Sequence, residues 1–196
     1  METKFINFFK YLEDKGEQRV PLRIKLLNPK QFKITPEDLD VKGNLYLDYV
    51  PITSLPDGLK VKGTLYLYGT LITSLPKDLK VGGNFNLYST KITSLSDGLE
   101  VGGALSLPYT EITSLPNGLK VGGNLNLRNT KITSLPNGLE VGDDLYLAHT
   151  KITSFPKDLK VEGDLDLFNT PLSSKTEAEI RQMAPNVKGE IKGLNQ

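Results

Sequence analysis

The chain has 196 residues, 38% hydrophobic and 24% charged, with a formal net charge of +1, the composition of an ordinary folded domain rather than a disordered segment. That near-neutral balance disfavours both a strongly basic binder of nucleic acid and an acidic mimic of nucleic acid. Without cysteine there is no disulfide, thiolate nucleophile or cysteine-based zinc site, and a single histidine cannot furnish the usual zinc cluster. No run of about 18 apolar residues could span a bilayer, and the N-terminus lacks the charged, apolar and small-residue succession of a secretory signal, so a cytoplasmic protein is expected.

Residues 1–31 read as an N-terminal cap. Phe5, Phe8, Phe9 and Leu12 fall at i, i+3, i+4 and i+7, which predicts a short amphipathic helix ended by Gly16, and the alternation of Leu22, Ile24 and Leu26 predicts a strand. From Phe32 to Pro171 a twenty-residue unit then runs without insertion. It reads Ile-Thr-Ser-Leu-Pro-x-x-Leu-x-Val-x-Gly-x-Leu-x-Leu-x-x-Thr-x, and seven copies in register make a solenoid of coils. The first copy is degenerate, with Thr35-Pro36 in place of Leu-Pro and Val50 in place of Thr.

The Leu-x-Leu step, as in Leu125 and Leu127, has the period of a strand and predicts one short parallel strand per coil. Segments such as Pro56-Asp57-Gly58 and Pro116-Asn117-Gly118 predict one corner, since Pro presets its φ and Gly tolerates positive φ. Gly63, Gly83, Gly103, Gly123 and Gly163 predict another, where close backbone approach excludes a side chain, with Asp143 as the exception. Six apolar columns should face inward, for example Leu115, Leu119, Val121, Leu125, Leu127 and Ile132, each worth roughly 1.5–3 kcal/mol when buried. Ordering the unit opposes this by about 1–2 kcal/mol per residue, so a coil holds only when stacked on neighbours. Thr70, Thr90, Thr110, Thr130, Thr150 and Thr170 should form a buried hydroxyl ladder bonded to the next coil.

Residues 172–196 read as the C-terminal cap. Thr176 and Glu179 have capping-box spacing and Pro185 ends the helix they begin, predicted over 176–184. Val187-Lys188-Gly189-Glu190-Ile191 then repeats the spacing of Val41-Lys42-Gly43-Asn44-Leu45, a truncated eighth coil within one structural domain.

The spacing Leu-x-Leu-x-x-Thr-x-Ile resembles the Leu-x-Leu-x-x-Asn-x-Leu core of leucine-rich repeats, and Leu-Pro every twenty residues is similar to their short bacterial type. The resemblance covers about 140 residues. It departs where Thr replaces the ladder Asn and where Val-x-Gly precedes the strand. It implies a curved, mainly β, right-handed parallel β-solenoid, and the departures leave open a straighter β-helix-like coil; the helical caps read above complete the expected fold. Similar Val-Gly-Gly-Asn-Leu repeats occur in proteins of bacteria and large bacteriophages, which points to that kind of source.

Recognition should lie in outward columns that vary between coils. One reads Tyr46, Tyr66, Asn86, Ser106, Asn126, Tyr146, Asp166, and the next outward column reads Asp48, Tyr68, Tyr88, Pro108, Arg128, Ala148, Phe168. The residue after the latter reads Tyr49, Gly69, Ser89, Tyr109, Asn129, His149, Asn169, and Asn44 to Asp164 form the column before. Seven of the eight tyrosines fall on this face. Tyrosine gives large contact area and a polar tip at low entropic cost, so Tyr46, Tyr66, Tyr68, Asn86, Tyr88, Tyr109, Asn126, Arg128 and Tyr146 are the candidate contacts to a protein partner. The competing reading is that aromatics merely suit an exposed strand and stack between coils.

Other chemistry has little support. Asp143, Asp144, Asp164 and Asp166 gather where coils lie about 4.8 Å apart, but the calcium nonapeptide is absent, and no metal or cofactor is expected. His149 with Asp166 lacks a nucleophile elbow, and Ser74, Ser94 and Ser114 belong to the repeat, so no catalytic residue is assigned. The column Lys60, Lys80, Glu100, Lys120, Glu140, Lys160 interrupts its lysines with acids, unlike a nucleic-acid track. The expected function is a non-enzymatic protein-interaction module, with a structural or assembly spacer and a carbohydrate-binding surface as alternatives.

Overall fold

The computed structural model describes residues 6–7, 10–11 and 20–195. Ile6, Asn7, Lys10 and Tyr11 are helical, while the stripe Phe5, Phe8, Phe9 and Leu12 lies outside the described residues. The repeats form a parallel β-solenoid. Each coil places its Leu-x-Leu segment beside that of the next with a twenty-residue offset, as in Leu125 against Leu145. The strands Leu45–Tyr46, Leu65–Tyr66, Phe85–Asn86, Leu105–Ser106, Leu125–Asn126, Leu145–Tyr146, Leu165–Asp166 and Ile191–Lys192 make one eight-stranded sheet, here the Leu sheet.

A coil carries two strands, not the single one expected. Asp40–Val41, Lys60–Val61, Lys80–Val81, Glu100–Val101, Lys120–Val121, Glu140–Val141 and Lys160–Val161 form a second, seven-stranded parallel sheet, the Val sheet. Its cause is local: the residue before Val points out while Val points in, and that two-residue alternation pairs with its copy in the next coil. The two residues after Val, both glycine in three coils (Gly82-Gly83, Gly102-Gly103 and Gly122-Gly123), then bend the chain into the Leu sheet. Coil packing at this bend is tight enough that a Cβ on Gly122 would lie 2.1 Å from the Gly102 carbonyl oxygen.

The six inward columns are buried, as at Leu115, Leu119, Val121, Leu125, Leu127 and Ile132, with Val41, Leu75 and Phe155 partly covered, and they join coil to coil into one core. Aliphatic side chains stacked on their own copies fill the interior without voids between unlike shapes, which is how small coils reach core density.

The threonine column is also buried, but the hydroxyls do not bridge coils. Thr70, Thr90, Thr110, Thr130, Thr150 and Thr170 each donate to the carbonyl of the leucine three residues earlier, at 2.6–2.9 Å. The preceding residue holds a left-handed conformation that turns the chain back, so the nearest acceptor lies in the same coil. Val50 fits the same buried place without a hydroxyl.

The inter-coil polar ladder runs instead through the first outward column. The side-chain oxygen of Asn44 accepts from the Thr64 amide at 2.8 Å, Asn84 from Ala104 at 2.9 Å, Asn124 from Asp144 at 2.9 Å, Asp144 from Asp164 at 2.8 Å, and Asp164 from Glu190 at 2.8 Å. These amides sit at the bend, where neither sheet supplies an acceptor, and a short side-chain oxygen one coil back reaches them.

Both ends are closed. The segment read as a strand from Leu22, Ile24 and Leu26 is a helix, Leu22–Leu27. Six residues are too few for alternation to separate strand from helix. Pro21 (φ −56°) leads into the first turn, and the buried face is Leu22 with Lys25, a helical i, i+3 pair. The Lys25 ammonium, 2% exposed, meets Asp38 at 3.0 Å and so ties this helix to the first coil. At the other end Thr176 and Glu179 form a capping box that starts the helix Glu177–Met183. After it Val187 bridges Val161, and Ile191–Lys192 pairs with Leu165–Asp166.

Candidate functional site

The outward face of the Leu sheet divides into an aromatic half and an ionic half. In the aromatic half, Tyr46 and Tyr66 stack with centroids 4.8 Å apart and planes at 9°. Beside them Tyr49, Tyr68, Tyr88 and Tyr109 form a continuous row, with centroids 4.7, 5.1 and 5.3 Å apart and rings tilted or edge-on. Coil spacing is close to the preferred separation of aromatic rings, so one tyrosine per coil stacks without further adjustment.

That stacking changes the expected exposure. Tyr66, Tyr68 and Tyr88, predicted to be largely exposed, are half-buried, because each ring covers part of its neighbour. Tyr46 (52%), Tyr49 (71%) and Tyr109 (55%) carry the open surface. Tyr49 is absent from the contacts chosen by sequence, although its column marks it: this position has positive φ in every coil from Tyr49 to Asn169. Gly, Ser and Asn suit that conformation, whereas Tyr49 (φ 57°) and Tyr109 (φ 57°) hold it against steric cost. The bare Gly69 of the next coil leaves room for the Tyr49 ring, 3.0 Å from where its Cβ would be. A hydrogen bond with Tyr68, with burial and the Asp48 charge behind it, pushes the Tyr49 phenol above its ordinary value.

The ionic half is held by its own side chains. The Arg128 guanidinium lies 4.1 Å from the centroid of the Tyr146 ring and bonds Asp166 at 2.5 Å, so one cation joins three coils. The Tyr146 hydroxyl donates to Asp144 at 2.7 Å, and this bond raises its pKa. Lys192 meets Asp164 at 2.5 Å, which depresses that carboxyl. The acidic cluster is thus relieved by Arg128, Lys192 and the ladder amides. Among the described residues no group of three metal-ligating side chains converges.

Two candidate contacts serve their own coil. Asn86 accepts from the Tyr88 amide at 3.0 Å and Asn126 from the Arg128 amide at 3.1 Å, closing the turn after each strand. His149 and Asp166 are not brought together: the His149 Nδ1 pairs with the Asn169 side-chain amide at 2.8 Å, its ring meets Phe168 edge-on, and Asp166 is taken by Arg128. No helix among the described residues is long and apolar enough to cross a membrane.

No family model matches this chain, and no curated protein sequence does. Among solved structures it is similar to the leucine-rich-repeat domain of a Shigella effector, at 17% identity and a TM-score of 0.50, over 95% of this chain and 96% of that one. That likeness identifies the architecture as a leucine-rich-repeat-like parallel solenoid.

Proposed function

We propose that the chain is a non-enzymatic protein-interaction module whose contact surface is the Leu-sheet face, centred on Tyr46, Tyr49, Tyr66, Tyr68, Tyr88 and Tyr109 and continued by Arg128 and Tyr146. The observation that carries this reading is the continuous tyrosine row ending in Tyr49 and Tyr109, which expose their rings while holding left-handed backbone positions. The scaffold does not require tyrosine there, since other coils use Gly, Ser, Asn or His at the same place. Strain retained at exposed aromatic positions is characteristic of surfaces that bind. The stacked rings are also pre-ordered, so little side-chain entropy is lost when a partner covers them.

The test is capture of a partner from the native host by the wild-type chain and by a Tyr66→Ser, Tyr68→Ser, Tyr88→Ser variant. Loss of capture with the solenoid's circular dichroism retained is the expected result. Undiminished capture would remove this face from the function and favour a structural spacer.

A further inference from the structure

Resting on the interaction face just described, we infer that its aromatic half receives arginine side chains of a basic segment on the protein partner. The chain itself contains the template. In the ionic half, Arg128 lies over the Tyr146 ring and its charge is matched by Asp166. That trio is a guanidinium seated on tyrosine and closed by a carboxylate, an arrangement favoured by the ring quadrupole and the planar guanidinium together.

The aromatic half holds the same components without the cation. Asp48 is half-buried among these rings, its Oδ1 accepting from the Tyr68 amide at 2.8 Å, and its charge reaches the Tyr49 phenol. No lysine or arginine pairs with Asp48 among the described residues; Tyr49 and Tyr68 present aromatic surface beside it, and Tyr88 continues the row one coil further. Arg23, on the capping helix, is directed to the Tyr46 carbonyl at 3.2 Å. In the ionic half Asp166 is matched by Arg128 and Asp164 by Lys192, whereas Asp48 in the aromatic half has no such match. A basic segment therefore finds complementary charge beside open rings at the N-terminal end of the face. An acidic segment would meet repulsion with no compensating donor. Lysine fits less well than arginine, because an ammonium does not stack on a ring as a guanidinium plane does.

The experiment titrates the full chain with three synthetic peptides of one Gly/Ser background carrying four arginines, four lysines or four glutamates. The chain has no tryptophan and seven of its eight tyrosines lie on this face, so tyrosine emission reports the site directly. The arginine peptide is expected to bind and to weaken with salt, the lysine peptide to bind less tightly, and the glutamate peptide not to bind. Asp48→Asn keeps the acceptor for the Tyr68 amide and removes only the charge. Both Asp48→Asn and Tyr68→Ser should weaken the arginine peptide by about threefold or more, while Tyr68→Phe, which keeps the ring, should not. Equal binding of the arginine and glutamate peptides, no binding of either, or an Asp48→Asn variant identical to wild type would overturn the inference. If the arginine peptide fails while the triple tyrosine variant still loses its native partner, the contact face stands and its cationic specificity falls. If the native partner is retained by that variant, the contact face itself fails.

Discussion

The two sheets of the solenoid both turn one side outward, and the two outward sides are occupied differently. On the Val sheet the outward column is Lys60, Lys80, Glu100, Lys120, Glu140, Lys160, and from Lys80 onward its charges pair with each other: Lys80 meets Glu100 at 3.0 Å, and Glu140 meets both Lys120 and Lys160 at 3.0 Å. Next to it Gly82, Gly102, Gly122 and Gly142 leave a trough of about 730 Å³ with bare backbone as its floor. Within this run of four, a Cβ on each glycine would lie 2.1–2.4 Å from the carbonyl oxygen one coil back, while Lys62 and Glu162 occupy the column on either side of the run. On the Leu sheet the outward residues vary from coil to coil, and they too bond or stack on the next coil, as Asn44 does on the Thr64 amide and Tyr46 on Tyr66. Outward direction alone does not make a recognition surface; what distinguishes this face is the ring surface left open after stacking, at Tyr46, Tyr49 and Tyr109.

Small substitutions on each face should separate the two most strongly. Gly122→Ala should cost roughly 1–3 kcal/mol, the scale of overpacking where backbone has to move, although Gly122 lies at the surface. Urea unfolding measures it, and a neutral result would mean that the coils can separate at the bend. A comparable change on the other face, Ala104→Ser, should be within about 0.5 kcal/mol.

Thr110→Val tests the interior between the faces. Its hydroxyl bonds Leu107 within the same coil, so the loss should be about 0.5–1.5 kcal/mol, with no effect on the pairing of neighbouring coils in amide hydrogen exchange. Loss of protection in the adjacent coil would restore a bridging role for the threonines.

Smaller still is Tyr109→Asn, which relieves a strained backbone position and gives up one ring contact at 5.3 Å. The two effects oppose, and stability should stay within about 0.5 kcal/mol while partner capture weakens. A large stability loss would assign Tyr109 to the scaffold.

Titration separates the faces without mutation. Glu140 on the Val face has its carboxyl depressed below 4.5 by hydrogen bonds from Lys160 and Lys120. Its contribution is present above the ordinary carboxyl value and lost as pH falls through the depressed one. Tyr146 on the Leu face has its phenol raised above 10.0 by its bond to Asp144, so its contribution is complete below pH 10.0 and lost as pH rises through the higher folded value. Asp164, also depressed, adds a Leu-face component to the acid limb, which leaves the alkaline limb as the cleaner report on the Leu face. Tyr146→Phe should flatten the alkaline limb of thermal melts and leave the acid limb as it was.

Much of the scaffold was legible in the sequence because its signals are repeated. Leu125, Leu127, Val121 and Ile132 announce inward positions by recurring every twenty residues, since a column that stays apolar through every coil is one that water does not reach. The glycine bend was equally readable at Gly83 and Gly123, since only close approach asks for that residue coil after coil. The tyrosine face was legible as a set of outward positions, through period-two alternation from Leu65 to Tyr68.

How neighbouring coils use the side chains between them was set by tertiary packing instead. Stacking half-buried Tyr66, Tyr68 and Tyr88, and it made Tyr49 the most open ring, because exposure depends on what the adjacent coil puts beside a residue. Backbone conformation turned Thr110 onto its own coil and left the bridging bonds to Asn84 and Asn124. Packing against Asp38 made Leu22–Leu27 a helix, a choice that six residues of ambiguous periodicity could not make. Period and polarity assign a residue to a side of the coil; partners contributed from twenty residues away determine what it does there.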